Sequence, residues 1–363
     1  MSAPEHTLCE DPSTTFTGWA YTGSTTLKPW SYHPRPLGPK DVEIEVTHGG
    51  CCGSDIHIIC GRMVNPTIGP IIAGHEIIGK VVAAGAESGH QIGDLVGSGG
   101  LTNACGDCVE CNAGQEQLCP KMSFVFNDRF KDERGGIPQG GFADRVRING
   151  DFVHKVPSNI SPAEAAPLFC AGLTTFSPLN DHGAGPNKTV GVVGIGGLGH
   201  LAIQWAAAMK CKNVVAFSTS DSKREEAKKL GATKFVNSKN TDEYKAAVHT
   251  IDILLVAGIG KDADWNELLS LVANRGTLVL LAIPESLVTL NPAELFMRQV
   301  NVTGSLIGGR KITAEMLAFA SEHNVRPWIE KYSMSDINKV VQHVINGNPR
   351  YRVVMETEAA AKI

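Results

Sequence analysis

The chain has 363 residues, 42% of them hydrophobic and 19% charged, which suits two globular domains with separate cores. A formal net charge of -4 gives no electrostatic reason to bind nucleic acid or an anionic membrane, and Met1 to Thr15 has no apolar stretch of the kind a secretory signal needs. Ten cysteines without such a signal favour thiols and metal ligands over a disulfide framework, and a cytoplasmic location is expected.

From Phe16 to about Val156 short strand patterns alternate with Gly and Pro turns. Val42 to Val46 alternates, Glu76 to Ala84 is strand-like, and Phe142 to Ile148 alternates again. Inside this β-rich half, Cys105, Cys108, Cys111 and Cys119 are spaced C-x2-C-x2-C-x7-C. Two-residue gaps let successive thiolates curl round one ion, and the longer gap brings in the fourth. The surrounding loop, about 97–121, has almost no apolar residues with which to fold itself, so a closed tetrahedral zinc that folds a lobe is expected. Disulfides and an Fe–S cluster are the alternatives; the fourth cysteine lies too far along for the bacterial ferredoxin run.

From about Thr174 strands alternate with helices. Strands are expected at Val190 to Val193, Asn213 to Ser218, Lys234 to Val236, Ile251 to Val256 and Thr277 to Ala282. Helices are expected at Gly199 to Lys210 and Ser222 to Leu230. This predicts an α/β, doubly wound parallel sheet. The apolar run Val190 to Met209 is no membrane span, since it holds five glycines, His200 and Gln204. Two more helices, Ala314 to Glu322 and Met334 to Asn346, precede Tyr351 to Met355, a strand expected to return to the first half.

Gly194-Ile195-Gly196-Gly197-Leu198-Gly199 follows an apolar strand and opens an apolar helix. In that context Gly194 permits the tight turn and Gly196 lets the backbone approach a pyrophosphate. Gly197 and Leu198 complete the turn, and Gly199 allows strand and helix to pack closely. An NAD site places a carboxylate about twenty residues on, to hold the ribose 2′-hydroxyl. Here Ser218, Thr219 and Ser220 stand there, followed by Lys223 and Arg224. Hydroxyls and cations suit a 2′-phosphate, and cations are otherwise disfavoured at a helix start, so NADP(H) is expected over NAD(H). Asp221 is the counterargument, because a shifted register would let it hold the ribose.

Further ligand-type residues are scattered: Cys52 in Cys52-Gly53-Ser54-Asp55-Ile56-His57, the pair His75-Glu76, and Cys170. No spacing rule links them, and each alone is an ordinary core residue. Two thiolates and an imidazole would match a catalytic zinc with a fourth position open.

Gly74-His75-Glu76, the Cys-Gly-Ser-Asp-x-His run, the four-cysteine lobe and the glycine turn together resemble the zinc-dependent medium-chain alcohol dehydrogenases. The stretch Ala166 to Thr174, the run Ser218-Thr219-Ser220, Gly304 to Gly308 and Arg350-Tyr351-Arg352 are similar to the NADPH-dependent cinnamyl alcohol dehydrogenase branch, including fungal members. The resemblance spans about Thr17 to Met355. It implies a GroES-like, mostly β catalytic domain (1–172) with the structural-zinc lobe, a Rossmann NADP-binding domain (173–305) and a C-terminal return (306–363). It also implies two zinc ions per chain: a catalytic one on Cys52, His75 and Cys170, with Glu76 as alternative fourth ligand, and a structural one in the lobe. Ser54 would pass a proton toward the cofactor ribose, and His57 would pass it to solvent. Two departures do not remove a ligand: Gly49 and Cys51 stand where a cysteine and an apolar residue are usual. A third, Arg62 in place of an Asp found in some members, puts the outer end of the relay in question.

The activity so implied is interconversion of aldehydes (aromatic, cinnamyl-like or medium aliphatic) with primary alcohols. A 1,4-reductase of a conjugated C=C or iminium is the alternative, a polyol dehydrogenase would favour NAD, and a zinc-ribbon interaction module would want a basic surface. The pocket would be lined by loops Ile58 to Ile68, Met122 to Gln139 and Ile283 to Ser286. Phe124, Phe126 and Phe130 suggest an apolar entrance or simple loop packing. A homodimer through Val300 to Ile307 is implied as well.

Overall fold

The computed structural model describes residues 10–260, 263–284, 287–347 and 349–362. The chain divides into two compact units. One runs to Cys170 and takes in Gly308–Ser321 and the chain from Trp328 onward; the other comprises Ala171–Ile307 and Glu322–Pro327. No described helix is long and apolar enough to cross a membrane.

The first unit is organised by the strand Asp41–Cys51, which pairs antiparallel with Glu76–Ala84 on one edge. Its other edge is shared, with Arg145–Asn149 beside the first half and Arg352–Glu356 beside the second. These belong to a seven-stranded sheet that also holds Leu95–Ser98, Val153–Lys155 and Ile329–Ser333. The alternation of Val42 to Val46 would put Glu43 in water; it is buried instead. Its carboxylate meets Arg147 Nη2 at 2.6 Å and Arg145 Nη1 at 2.9 Å. Asp41, fully buried, is held by Arg35 at 2.8 Å and Arg134 at 2.6 Å. Both faces of the strand are therefore covered. The strand expected from Phe142 begins only at Arg145. Phe142 spends its N–H on the Ala73 carbonyl (3.0 Å) and its own carbonyl on Trp19 N–H (2.8 Å), which takes its backbone out of the ladder.

The second unit carries a six-stranded, all-parallel sheet in the order Lys234–Asn237, Asn213–Ser218, Thr189–Val193, Ile251–Val256, Val272–Leu280, Asn301–Gly304. Numbered along the chain this is 3-2-1-4-5-6, the Rossmann order, whose reversal point beside the first strand is where a dinucleotide binds. Ile251–Val256 is nearly continuous apolar sequence, as a strand covered on both faces must be, and Leu254 and Val256 are fully buried with Phe217, Leu269 and Leu278. The expected strand Thr277 to Ala282 starts earlier, at Val272, and ends at Leu280 because the next two N–H groups both donate to the Val256 carbonyl. Helix Ser222 to Leu230 becomes a 3-10 turn, Asp221–Lys223, and a helix Arg224–Lys229. The helix expected at Ala314 starts at Arg310, and Met334–Asp336 is a 3-10 turn before the helix Ile337–Ile345.

Candidate active site and metal centres

Cys52 directly follows the central strand and caps the helix Gly53–Ile59. His75 and Glu76 sit at the start of the neighbouring strand, where Glu76 lies opposite Gly50. Only glycine serves at 50, since a Cβ there would lie 1.9 Å from Glu76 Oε2. Gly74 has φ +97°, and a Cβ on it would strike the backbone and ring of Phe142. Cys170 comes from the helical turn Leu168–Gly172. The pairing brings the donor atoms of Cys52, His75, Glu76 and Cys170 within 4.8 Å of one another, all four residues buried. Cys52 Sγ lies 3.6 Å from Cys170 Sγ, and His75 Nε2 3.1 Å from the same sulfur.

Two thiolates 2.3 Å from one tetrahedral ion lie about 3.8 Å apart, so this sulfur separation fits a shared cation. The charges agree. A hydrogen bond from Cys170 pulls the Cys52 thiol well below its ordinary pKa, and the same contact with burial pushes Cys170 well above. Burial pushes the Glu76 carboxyl up to about 7, with Arg352 opposing and Cys52 adding to the rise. Arg352 bonds Glu76 Oε1, but Oε2 is buried without a partner, which costs free energy unless a cation meets it. The donor set therefore fits zinc.

Behind the histidine stands Asp55, a residue whose role the spacing did not disclose. It is fully buried. Its Oδ2 accepts from Cys52 N–H (2.9 Å); Oδ1 accepts from Gly74 N–H (2.9 Å) and lies 2.8 Å from His75 Nδ1. One carboxylate thus fixes two donor-bearing segments and leaves His75 Nε2 to face the sulfurs, the arrangement that orients metal-ligating histidines. An Asp three residues after Cys52, at the third position of a helix, was the signal available. Ser54 and His57 lie three residues apart on the more exposed face of the same helix. Arg62 is exposed and donates its N–H to the His57 carbonyl at 2.8 Å.

Cys105, Cys108, Cys111 and Cys119 form the second cluster, their sulfurs also within 4.8 Å of one another. Gly106, at φ +82°, turns the chain back between the first two. Cys105 Sγ lies 3.9 Å from Cys111 Sγ and 3.5 Å from Cys119 Sγ. That is too long for a disulfide and close to the edge of a sulfur tetrahedron round one ion. Lys121 N–H donates to Cys119 Sγ at 3.3 Å. Buried Glu116 fastens the lobe to the helix Arg310–Glu322, accepting from Arg310 N–H (3.1 Å) and Nε (2.8 Å).

In the second unit the glycine turn joins the strand Thr189–Val193 to the helix Gly199–Ala208. Gly194 has φ +86° with Gly258 against it; a Cβ on Gly199 would lie 1.9 Å from the Gly194 carbonyl; above Gly196 there is open space within 4 Å. The turn is thus open above Gly196 at a helix N-terminus, a shape that can receive a pyrophosphate. Ser218 ends its strand, and Thr219 and Ser220 are exposed beyond it. Lys223 Nζ reaches back to the Ile195 carbonyl (2.5 Å), which carries its charge to the glycine turn. Asp221 is occupied: Arg224 and Asn237 bond its two oxygens.

The three phenylalanines divide. Phe130 is buried under the Arg35 guanidinium, 3.5 Å from its ring centre, which is packing rather than an entrance. Phe126 is also buried, its ring centre 5.8 Å from that of His75, and Phe124 is partly exposed. Of the loop Ile283 to Ser286, the last two positions lie outside the described residues.

Strand order, glycine cradle and a Cys2His cluster backed by a carboxylate define the class of zinc-and-dinucleotide dehydrogenases. Residues 38–158 match the alcohol dehydrogenase GroES-like domain and residues 197–322 the zinc-binding dehydrogenase domain. The chain is 38% identical to an aldehyde reductase, YahK, of Escherichia coli over 93% of its own length and 96% of the relative's. Among solved structures, cinnamyl alcohol dehydrogenase SbCAD4 of Sorghum bicolor superposes with a TM-score of 0.89 at 33% identity, covering 94% of this chain and 98% of that one. The cinnamyl alcohol dehydrogenase of Helicobacter pylori complexed with NADP(H) gives 0.86 at 31% identity, covering 94% and 98%. The chain belongs to the zinc-dependent medium-chain alcohol dehydrogenase family.

Proposed function

We propose that this chain is an NADP(H)-dependent aldehyde reductase and alcohol dehydrogenase acting on aromatic, cinnamyl-like or medium aliphatic aldehydes. The observation that carries the reading is the buried cluster Cys52, His75, Glu76 and Cys170, with Asp55 bonded to His75 and two sulfurs at the spacing one ion requires. Zinc bound there would supply Lewis-acid polarisation of the carbonyl, and NADPH bound at the glycine turn would supply hydride. The chain's own residues do the rest. Cys52, His75 and Cys170 would hold the metal, with Glu76 as the alternative ligand when no substrate is present. Ser54 delivers a proton from Oγ to the oxygen that becomes the alcohol, and His57, on the same helix face, restores it from solvent. Phe126, packed on His75, supports an apolar substrate.

The four-cysteine lobe would hold a second, structural zinc, since four thiolates leave no open position. Ser218, Thr219, Ser220 and Lys223 receive the 2′-phosphate, and Gly194, Gly196, Gly197, Leu198 and Gly199 the pyrophosphate. The division at Cys170 and Ile307 supports a catalytic domain to 172, a coenzyme domain over 173–305 and a C-terminal return. Two copies pair through the edge strand Asn301–Gly304, near which Phe296, Met297 and Leu306 are exposed. A thiol-rich metal chemistry suits the reducing cytoplasm.

The test is turnover of cinnamaldehyde, benzaldehyde and hexanal with NADPH and with NADH, products identified by chromatography. Alcohol formation with a higher kcat/KM for NADPH is expected. A saturated aldehyde from cinnamaldehyde, with no alcohol, would replace the reading with 1,4-reduction.

A further inference from the structure

The reading of the second unit as an NADP(H) site leaves Asp221 unexplained, because a carboxylate just past the second strand belongs to NAD sites, where it accepts the ribose hydroxyls and repels a 2′-phosphate. Asp221 follows the strand end Ser218 by three residues. Both of its oxygens are engaged. Arg224 takes Oδ1 through Nε (3.0 Å) and Nη2 (2.6 Å), and Asn237 Nδ2 takes Oδ2 (2.9 Å).

These two partners are themselves fixed. Asn237 pairs in register with Ser218 across the parallel strands, and its N–H donates to Glu243 Oε2 at 2.7 Å. Arg224 Nη2 also reaches Glu243 Oε1 at 3.1 Å, and its guanidinium lies 4.4 Å over the ring of Phe235. Glu243 belongs to the helix Thr241–Lys245, whose cap Asn240 accepts from Glu243 N–H at 3.2 Å. The neighbouring cation Lys223 points the other way, to the Ile195 carbonyl of the glycine turn. Two adjacent basic residues therefore have separate tasks. Lys223 brings charge to the phosphates; Arg224, with Nε and Nη2 already given to carboxylates, neutralises an acid. Its hydrogen bond, with that of Asn237, holds Asp221 below the usual carboxylate range.

We propose that Arg224 and Asn237 are positioning residues for coenzyme choice: by tying both oxygens of Asp221 they withhold from the ribose a carboxylate that would otherwise favour the 2′-hydroxyl and repel the 2′-phosphate. The proposal rests on the NADP(H) reading above and adds to it the device by which an acid at this place is rendered harmless.

Calorimetric titration of the intact enzyme with 2′,5′-ADP and with 5′-AMP tests it, fold being checked by circular dichroism. The wild type is expected to bind 2′,5′-ADP more tightly than 5′-AMP. The variant Arg224→Gln/Asn237→Ala should lose about tenfold in affinity for 2′,5′-ADP, the order one uncompensated charge beside a phosphate produces, while 5′-AMP binds as well or better. Adding Asp221→Asn should restore most of the loss. The single change Asn237→Ala, which keeps Arg224 on Phe235, should move the ratio the same way by less. An unchanged ratio in the double variant overturns the proposal, as does a loss that Asp221→Asn fails to rescue, which would make Arg224 itself the phosphate ligand. A wild type that binds both nucleotides equally would overturn the NADP(H) reading and the proposal with it.

Discussion

Replacing Asp55 by asparagine removes one charge and almost no volume from a fully buried position. The carboxylate makes three contacts, to Cys52 N–H, Gly74 N–H and His75 Nδ1, so no orientation of an amide satisfies them all. If the amide nitrogen replaces Oδ2 it faces the Cys52 N–H, donor against donor. If the amide is turned over, it faces Gly74 N–H and His75, and forces the imidazole proton onto Nε2, where a metal must bind. The first orientation costs less: one buried N–H and one amide nitrogen left unpaired, about 1–3 kcal/mol each, together with the charge behind the imidazole. Asp55→Asn should thus destabilise the protein by roughly 3 kcal/mol and weaken zinc at Cys52, His75 and Cys170 by about 10- to 100-fold. Urea unfolding gives the first number and chelator competition the second. Zinc affinity and an unfolding midpoint equal to the wild type would refute the assignment of Asp55 as the residue that sets this site.

Cys108→Ala should release the lobe's zinc and lower the thermal midpoint, with activity falling as a consequence; a stable, folded but inactive variant would contradict a structural role for that cluster. Gly199→Ala puts a Cβ 1.9 Å from the Gly194 carbonyl and should raise the Kd for NADPH at least about tenfold with zinc content unchanged, as titration calorimetry would report. Burial, with His90 and Arg310 adding, pushes the half-buried His154 down to about 4. The unfolded chain, with an imidazole pKa near 6.5, then takes up the proton first. Stability on this account is constant above pH 6.5 and falls by at most about 3 kcal/mol as pH drops to 4. Urea midpoints for wild type and His154→Gln between pH 7 and 4.5 check it, and identical slopes would rule it out.

The two candidate metal sites differ in how plainly the sequence carries them, and the reason is where their donor residues come from. Cys105 to Cys119 lie on one loop, so spacing alone specifies a closed site. Cys52, His75 and Cys170 are brought together by the register that sets Gly50 opposite Glu76 and by a turn far along the chain, and nothing local records that pairing. Residue type nominated them one by one; only resemblance joined them on one ion. Asp55 and Arg352 were missed as functional partners because their work is done on another segment's side chains. In the second unit five of the six strands were legible, most of them apolar runs between helical patterns; Asn301–Gly304, largely polar and at the edge, was not named as a strand. The engagement of Asp221 was not legible, because its two oxygens are bonded by Arg224 and Asn237, one on the following helix and the other on the neighbouring strand. The early start assigned to the strand at Phe142 has the same cause: alternation sees side chains, whereas Ala73 and Trp19 claimed the backbone.

The central claim is that hydride transfer takes place beside a zinc held by Cys52, His75 and Cys170, apart from the zinc of the lobe. Metal analysis of wild type and Cys170→Ala, paired with NADPH oxidation by cinnamaldehyde, tests it most directly. Two clusters predict two zinc ions per wild-type chain, one in the variant, and aldehyde reduction lost while the lobe keeps its metal. Unchanged turnover in Cys170→Ala, or full zinc occupancy without Cys170, would contradict it.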